Sequence, residues 1–321
     1  MPLPPLIILA GPTGIGKSDF GAALAERSGG EVISADSMQV YRHFDIGSAK
    51  PSLELRKKVA HHLIDVLDPV EEYNASLFRE DAGKIIRRLH GEGRTPVVVG
   101  GTGLYIKSLT HGLECAAAPS PGLRRELRSE MKQKGVEKLH GELAEIDPAS
   151  AAAISPRDRV RIERALEVFK ATGKPLSEFH EQDRKNKGPS EFAVSLIILT
   201  APRRYIYSRI EARVDSMLER GLVEEVRSLL DRGYSRELKP FMGLGYKQVL
   251  GYLDGGNDYA AMVDSIKKET RHYAKRQLTW FRKMEGARWV SIEDGDQPEA
   301  VLRKIMDCVD YSREFTRMGA S

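Results

Sequence analysis

The chain has 321 residues, with 50 Lys and Arg against 46 Asp and Glu, a formal net charge of +4. With 41% hydrophobic and 30% charged residues, it has the apolar content of a folded chain of about two domains, which excludes wholesale disorder. The longest apolar runs, Leu6–Ala10 and Val194–Leu199, fall far short of the ~20 residues of a membrane span, and two cysteines without a CxxC pair exclude a zinc knuckle or a disulfide framework.

Met1-Pro-Leu-Pro-Pro has no basic n-region, so no signal peptide is expected and a reduced, cytoplasmic setting fits. The first predicted strand is Leu6–Gly11, followed by a helix over Lys17–Ser28 and a second strand, Glu31–Asp36. A helix over Ser76–Gly91 precedes a third strand, Pro96–Gly101. These three strands are nearly continuous apolar runs, the pattern of strands buried on both faces. Their alternation with helices predicts an α/β fold: a P-loop parallel sheet core with helices on both faces.

From about Pro119 to Gly188 the pattern is helical only, over Gly122–Gly135, Gly135–Ile146 and Arg157–Thr172, punctuated by Pro121, Pro148, Pro156 and Pro175. Strand character returns at Phe192–Thr200 and again at Arg288–Ile292, with helices between. The simplest organisation is a discontinuous core, 1–118 with 190–321, interrupted by an all-helical insertion at 119–189. Cys115, at the junction, shows no partner, and the tail from Tyr311 is expected to fray.

Gly11-Pro12-Thr13-Gly14-Ile15-Gly16-Lys17-Ser18 fits G-x-x-x-x-G-K-[ST], with a strand before it and a helix after. Glycines at these positions turn backbone N–H groups onto phosphate oxygens, and the helix start adds positive dipole. Lys17 can neutralise the terminal phosphates and the Ser18 hydroxyl can hold Mg²⁺. The motif predicts a bound di- or triphosphate without saying which.

Phosphate-loop enzymes commonly end a later strand in an acid that holds Mg²⁺. Here Val97-Val98-Val99-Gly100-Gly101-Thr102-Gly103 carries none; the acid is Asp36, at the end of the second strand, in Ser34-Ala35-Asp36-Ser37-Met38-Gln39. Strand ends of an open α/β sheet hold its ligands. Asp36 is therefore a candidate general base or metal ligand, although an aspartate at such a point also serves as a helix cap.

Together, the phosphate loop, Asp36–Gln39, Asp45–Pro51 and Gly100–Tyr105 closely resemble the bacterial tRNA dimethylallyltransferase (tRNA isopentenyltransferase) family. So do His61–Asp65, Arg161–Glu167, Arg209–Arg213 and Gly243–Lys247, and the match runs nearly end to end. The resemblance implies transfer of a dimethylallyl group from dimethylallyl diphosphate to N6 of the adenosine on the 3′ side of the anticodon. It implies that the loop holds a diphosphate leaving group, with Mg²⁺ as cofactor and a tRNA anticodon stem-loop as partner. It makes Asp36 the base, with Thr13 and an arginine, Arg213 or Arg209, on the diphosphate. The two arginines, four apart, share a helix face.

An N6 amine inside a stacked loop must be flipped out to be reached. The resemblance places Asp36, Ser37, Met38 and Gln39 against the target nucleotide with Thr102 beside them. Gln39 offers the donors and acceptor that suit an adenine edge, yet on composition alone it reads as an exposed loop residue. The family counterparts of Val160, Arg161, Ile162, Glu163 and Arg164, and of Met242, Gly243, Leu244, Gly245, Tyr246 and Lys247, touch tRNA. Lys267–Lys283 carries seven Lys and Arg against one acid. Lys267, Arg271 and Lys275 line one helical face suited to phosphates, while Trp280 and Phe281 are expected to pack inward. An insertion that closes on the anticodon stem follows as a further expectation.

His61 and His62 lack the spacing of metal ligands and read as structural. A monomer is expected, and no membrane contact. The alternative reading is a P-loop small-molecule kinase in which Asp36 activates a hydroxyl. It suits the first fifty residues equally well but leaves Gly100–Gly103 and the basic Lys267–Lys283 segment unused.

Overall fold

The computed structural model describes residues 3–112, 120–185 and 191–309; Cys115, Pro119 and the tail from 310 lie outside the described residues. The chain divides into two compact units, an α/β unit of Met1–Thr110 with Ser190–Ser321 and a helical unit of His111–Pro189.

The first half of the α/β unit runs β1 (Pro5–Ala10), α1 (Lys17–Arg27), β2 (Glu31–Ala35), α2 (Leu53–Lys58), β3 (His61–His62), α3 (Ala75–Gly91), β4 (Pro96–Gly100) and α4 (Gly103–Thr110). The helical unit holds α5 (Pro121–Lys134), α6 (Val136–Ile146), α7 (Pro148–Ala153), α8 (Arg159–Thr172) and α9 (Leu176–Lys185). The second half of the α/β unit follows with β5 (Ala193–Thr200), α10 (Arg203–Glu219), α11 (Leu222–Asp231), α12 (Tyr246–Leu253), α13 (Tyr259–Phe281), β6 (Arg288–Ser291) and α14 (Pro298–Asp307).

The sheet order is β3-β2-β4-β1-β5-β6, and every pairing is parallel. β1 lies inside, with Ile8 opposite Val98 on β4 and Leu196 on β5. Every residue of β2 and β4 is buried, and all but the first of β1. That is why these segments read as unbroken apolar runs: helices cover both faces, so no alternation survives. The expected parallel α/β core is thus present, with one strand more than the five expected. β3 is two histidines long and has no apolar run to betray it; it reaches the sheet edge by pairing Val32 with His61 and Ile33 with His62. His62 Nε2 meets Glu31 Oε2 at 2.6 Å, and Arg94 binds the other oxygen of that buried carboxylate. The structural reading of the histidine pair fits this contact.

The helices start where their capping residues place them. Asn74 accepts from the Ser76 and Leu77 amides at α3, and Asp258 accepts from Ala261 at α13. In the helical unit, Ser120 and Asp158 cap α5 and α8. This unit has its own core, with Leu127, Leu139, Leu143, Ile162, Leu166 and Val168 at its centre. Inside it the Glu167 carboxylate, wholly buried, accepts from the Ser120 amide (2.7 Å), Arg124 Nε (2.9 Å) and Arg164 Nη1 (2.7 Å). Those partners hold Glu167 below the usual carboxylate range despite the opposing, larger effect of burial.

Candidate active site

The phosphate loop leaves β1 at Ala10 and enters α1 at Lys17. Gly16, the residue before that helix, has φ +93°, a left-handed conformation that an L side chain resists. Lys17 folds back over the loop, its Nζ donating to the Pro12 carbonyl at 2.7 Å. Its pKa is pushed down to about 7, by burial first and then by the Arg213 charge, against the pull of Asp36. Arg213 is also lowered, by burial most of all, with Asp36 opposing and Arg209 adding to the shift. Lys17, Arg209 and Arg213 thus crowd one place, where a polyanion would relieve all three.

Both arginines reach the loop from α10. Arg209 Nε donates to the Gly14 carbonyl at 2.8 Å, and Arg213 Nη1 donates to Thr13 Oγ1 at 3.2 Å. Asp36 follows β2 directly, and its Oδ1 accepts from the Met38 (2.8 Å) and Gln39 (3.4 Å) amides. The capping role is therefore real, but it occupies one oxygen only; Oδ2 accepts no hydrogen bond from the described residues. Thr102, just past β4, accepts from the Ser37 amide at 3.1 Å and pins the same turn.

Three cavities meet here. A polar cleft of about 580 Å³ is lined by Gly14, Lys17, Ser18, Lys50, Arg209 and Arg213, among others. A small pocket of about 80 Å³ includes Thr13, Asp36, Gly101, Arg213, Tyr273 and Gln277. A largely apolar pocket of about 280 Å³ runs from Thr13, Asp36 and Arg213 past Met38, Ile210, Val214 and Met217 to Met242–Gly245. Arg213 lines all three, and Arg209 only the first. Arg213 is thus the more centrally placed of the two arginines.

Two residues of this site were not legible as such. Gln277 of α13 is buried; its Oε1 accepts from the Thr13 amide (2.8 Å) and its Nε2 donates to the Gly101 carbonyl (2.8 Å). It ties the phosphate loop to the end of β4. The available signal was a lone polar residue in the buried stripe Met262, Ile266, Ala274, Gln277 and Phe281. Glu225 of α11 accepts from the amides of Asp45 (3.0 Å), Ile46 (2.7 Å) and Gly47 (3.3 Å), and from the Tyr246 hydroxyl (2.7 Å). Nothing local in α11 marks it.

Several expected RNA contacts are placed otherwise. Gln39 is neither exposed nor free: its Oε1 accepts from Ser34 Oγ at 3.0 Å, and its Nε2 donates to the Ser48 and Ala49 carbonyls at 3.4 and 3.3 Å. Tyr246 is fully buried, its ring against Gly47, where a Cβ would lie 2.5 Å from it. It braces the 45–48 turn, and burial pushes its hydroxyl well above the usual phenol range. Ile162 is fully buried in the helical unit's core, Glu163 binds Arg128 and Arg164 binds Glu167, whereas Val160, 76% exposed, and Arg161 face outward. On α13, Lys267 pairs with Asp215 (2.6 Å) and Arg271 with Glu211 (2.7 Å), both on α10; Lys275 stays exposed. These pairs divert two of the three basic residues from a phosphate-binding face. Phe281 is buried, but Trp280 is 38% exposed, lying across Gly103, where a Cβ would sit 2.3 Å from its ring. Met242 and Lys247 are exposed, and Gly243 abuts the Met38 side chain.

A phosphate loop opening beside an acid that follows β2, a half-buried arginine and a largely apolar pocket suit a transferase with a phosphorylated leaving group. A family model described as "IPP transferase" matches residues 39–284, and one described as "Isopentenyl transferase" matches 4–66. The chain is 48% identical over 289 residues to a tRNA dimethylallyltransferase of Geobacter sulfurreducens, covering 89% of this chain and 91% of that protein. It superposes on the tRNA isopentenylpyrophosphate transferase of Bacillus halodurans with a TM-score of 0.69 at 39% identity, covering 94% and 95% of the two chains. It superposes on a eukaryotic dimethylallyltransferase acting on tRNA with a TM-score of 0.76 at 29% identity, covering 91% of this chain and 74% of that one. The chain belongs to the IPP transferase family, among the tRNA dimethylallyltransferases.

Proposed function

We propose that this site transfers the dimethylallyl group of dimethylallyl diphosphate to N6 of the tRNA adenosine 3′-adjacent to the anticodon. The observation that carries it is the meeting of Thr13, Asp36 and Arg213 in one apolar pocket beside a polycationic phosphate loop. An apolar pocket opening from a polycationic cleft suits a short isoprenoid chain carried on a diphosphate.

In this reading the loop amides, Lys17 and Arg213 hold the diphosphate. As the C1–O bond breaks, its electron pair leaves on the diphosphate, where these fixed cations stabilise it. The N6 lone pair forms the new C1–N bond, and the N6 proton passes to the free oxygen of Asp36. Thr13 receives its hydrogen bond from Arg213, so its own proton can point to the leaving oxygen. The Ser18 hydroxyl opens on the polar cleft, and no group of three His, Cys, Asp or Glu suited to a metal exists among the described residues. One hydroxyl with phosphate oxygens and water is a donor set that Mg²⁺ accepts; when bound, it would neutralise part of the diphosphate charge.

We place the protein in the cytoplasm as a monomer. No helix among the described residues is long and apolar enough to cross a membrane. The test is mass spectrometry of nucleosides from unmodified tRNA incubated with the protein, Mg²⁺ and either dimethylallyl diphosphate or ATP. Adenosine heavier by C5H8 with the allylic donor alone is the expected result. No such product, with phosphate released from ATP, would reinstate the kinase.

A further inference from the structure

Helix α10 separates the two larger cavities, and its residue spacing sorts them. Arg209, Arg213, Ser216 and Arg220 face the polar cleft; Ile210, Val214 and Met217 face the apolar pocket. At 3.6 residues per turn these are adjoining faces, and Arg213 and Met217, one turn apart, lie on the seam. Accordingly they are the two residues of α10 that line both cavities. A chain joined to a diphosphate leaves the polar cleft at Arg213 and runs along the seam toward Met217, one helical turn away.

We propose that Met217 sets the length of the prenyl chain that this protein transfers, confining it to five carbons. The inference rests on the prenyl-transfer reading above and adds the residue that selects among allylic diphosphates. The 280 Å³ pocket also contains Asp36, Ser37 and Met38, so the acceptor base must share it with the donor. That volume lies at the lower edge of the roughly 300–1,000 Å³ of ordinary ligand pockets. Base and five-carbon chain fill it; the second isoprene unit of a geranyl chain meets the Met217 side chain. Met217 is buried, as are Ile210 and Val214 beside it, so none swings into solvent to make room. Methionine suits the place because its unbranched thioether packs closely without a rigid shape. The bonds are those of the parent reaction whichever donor enters: C1–O breaks with its pair on the diphosphate, C1–N forms, and the N6 proton goes to Asp36.

The test compares wild type and Met217→Ala with dimethylallyl and geranyl diphosphate on unmodified tRNA, reading nucleosides heavier by C5H8 or C10H16. One methylene in an apolar pocket shifts discrimination roughly 10- to 200-fold, so the geranyl-to-dimethylallyl ratio of kcat/KM should rise by at least about tenfold in the variant. An unchanged ratio in a folded variant overturns the proposal. Wild type transferring neither group overturns the prenyl-transfer reading instead, which keeps the two failures distinct. Should Met217→Ala not fold, Met217→Phe serves: it should raise KM for dimethylallyl diphosphate and leave KM for tRNA in place. An unaltered donor KM there also rejects Met217 as the gauge.

Discussion

Asp36 caps the 37–39 turn with one oxygen and lines the pocket, and the proposed reaction uses its other oxygen as the base. Asp36→Asn keeps an oxygen for the turn and removes the base. Its expected effect is a loss of turnover of about 10²–10⁴-fold with tRNA affinity nearly unchanged, measured by single-turnover kinetics beside filter binding; turnover near wild type would dismiss Asp36 as the base. Lys17 gives a pH prediction. With a free-state pKa near 7, it is already charged below that pH, and an anion beside it raises the value in the complex. Binding above about pH 7 must therefore take up a proton, and affinity falls with rising pH by up to about tenfold per unit until the bound-state value is reached. Titration calorimetry of inorganic diphosphate across pH, with Lys17→Met to subtract the ligand's own ionisation, reads this directly. A pH-independent difference between the two proteins would be the contrary outcome.

Helix α13 borders the site through Gln277 and is rich in basic residues. Its charge spacing marks the helix but not the ion pairs of Lys267 and Arg271, because pairing to Asp215 and Glu211 depends on a partner helix that no local spacing reveals. Such half-exposed pairs contribute about 0–1 kcal/mol each, so they orient α13 more than they stabilise it. Salt titrations of tRNA binding should give Lys275→Ala a slope reduced by about one unit and Lys267→Ala a smaller change; equal reductions would return Lys267 to the RNA path. Gln277 acts by hydrogen bonds alone. Gln277→Leu leaves the Thr13 amide and the Gly101 carbonyl without their partner, at about 1–3 kcal/mol for each buried group. A lower melting temperature with a raised KM for the allylic donor is expected. The elements legible in advance were those with a period or a run: β1, β2 and β4 as unbroken apolar segments, the phosphate loop as a fixed spacing. β3, Gln277 and Glu225 were not, since two residues make no period and the last two act across 264 and about 180 positions of chain.

At the scale of the molecule, two separate cores predict two separate responses to acid. Glu167 is held below the usual carboxylate range in the folded helical unit, so its contribution is complete above the unfolded value and is lost as pH falls through the lower folded one. Removing one partner of such a buried cluster costs roughly 3–5 kcal/mol. Glu167→Ala should lower one calorimetric transition and leave the other where it was; a single transition shifted as a whole would mean that the units unfold as one.

The order of synthesis gives the interrupted core a further property. The phosphate loop leaves the ribosome well before its partners: Arg213 lies 200 positions after Thr13 and Gln277 a further 64. At roughly 5–20 residues per second, the loop waits on the order of 13–50 s for its last partner. Meanwhile the helical unit, whose described core residues fall between Leu127 and Phe179, already has those side chains. A nascent chain therefore carries the core of the insertion before its phosphate loop has met its last partner.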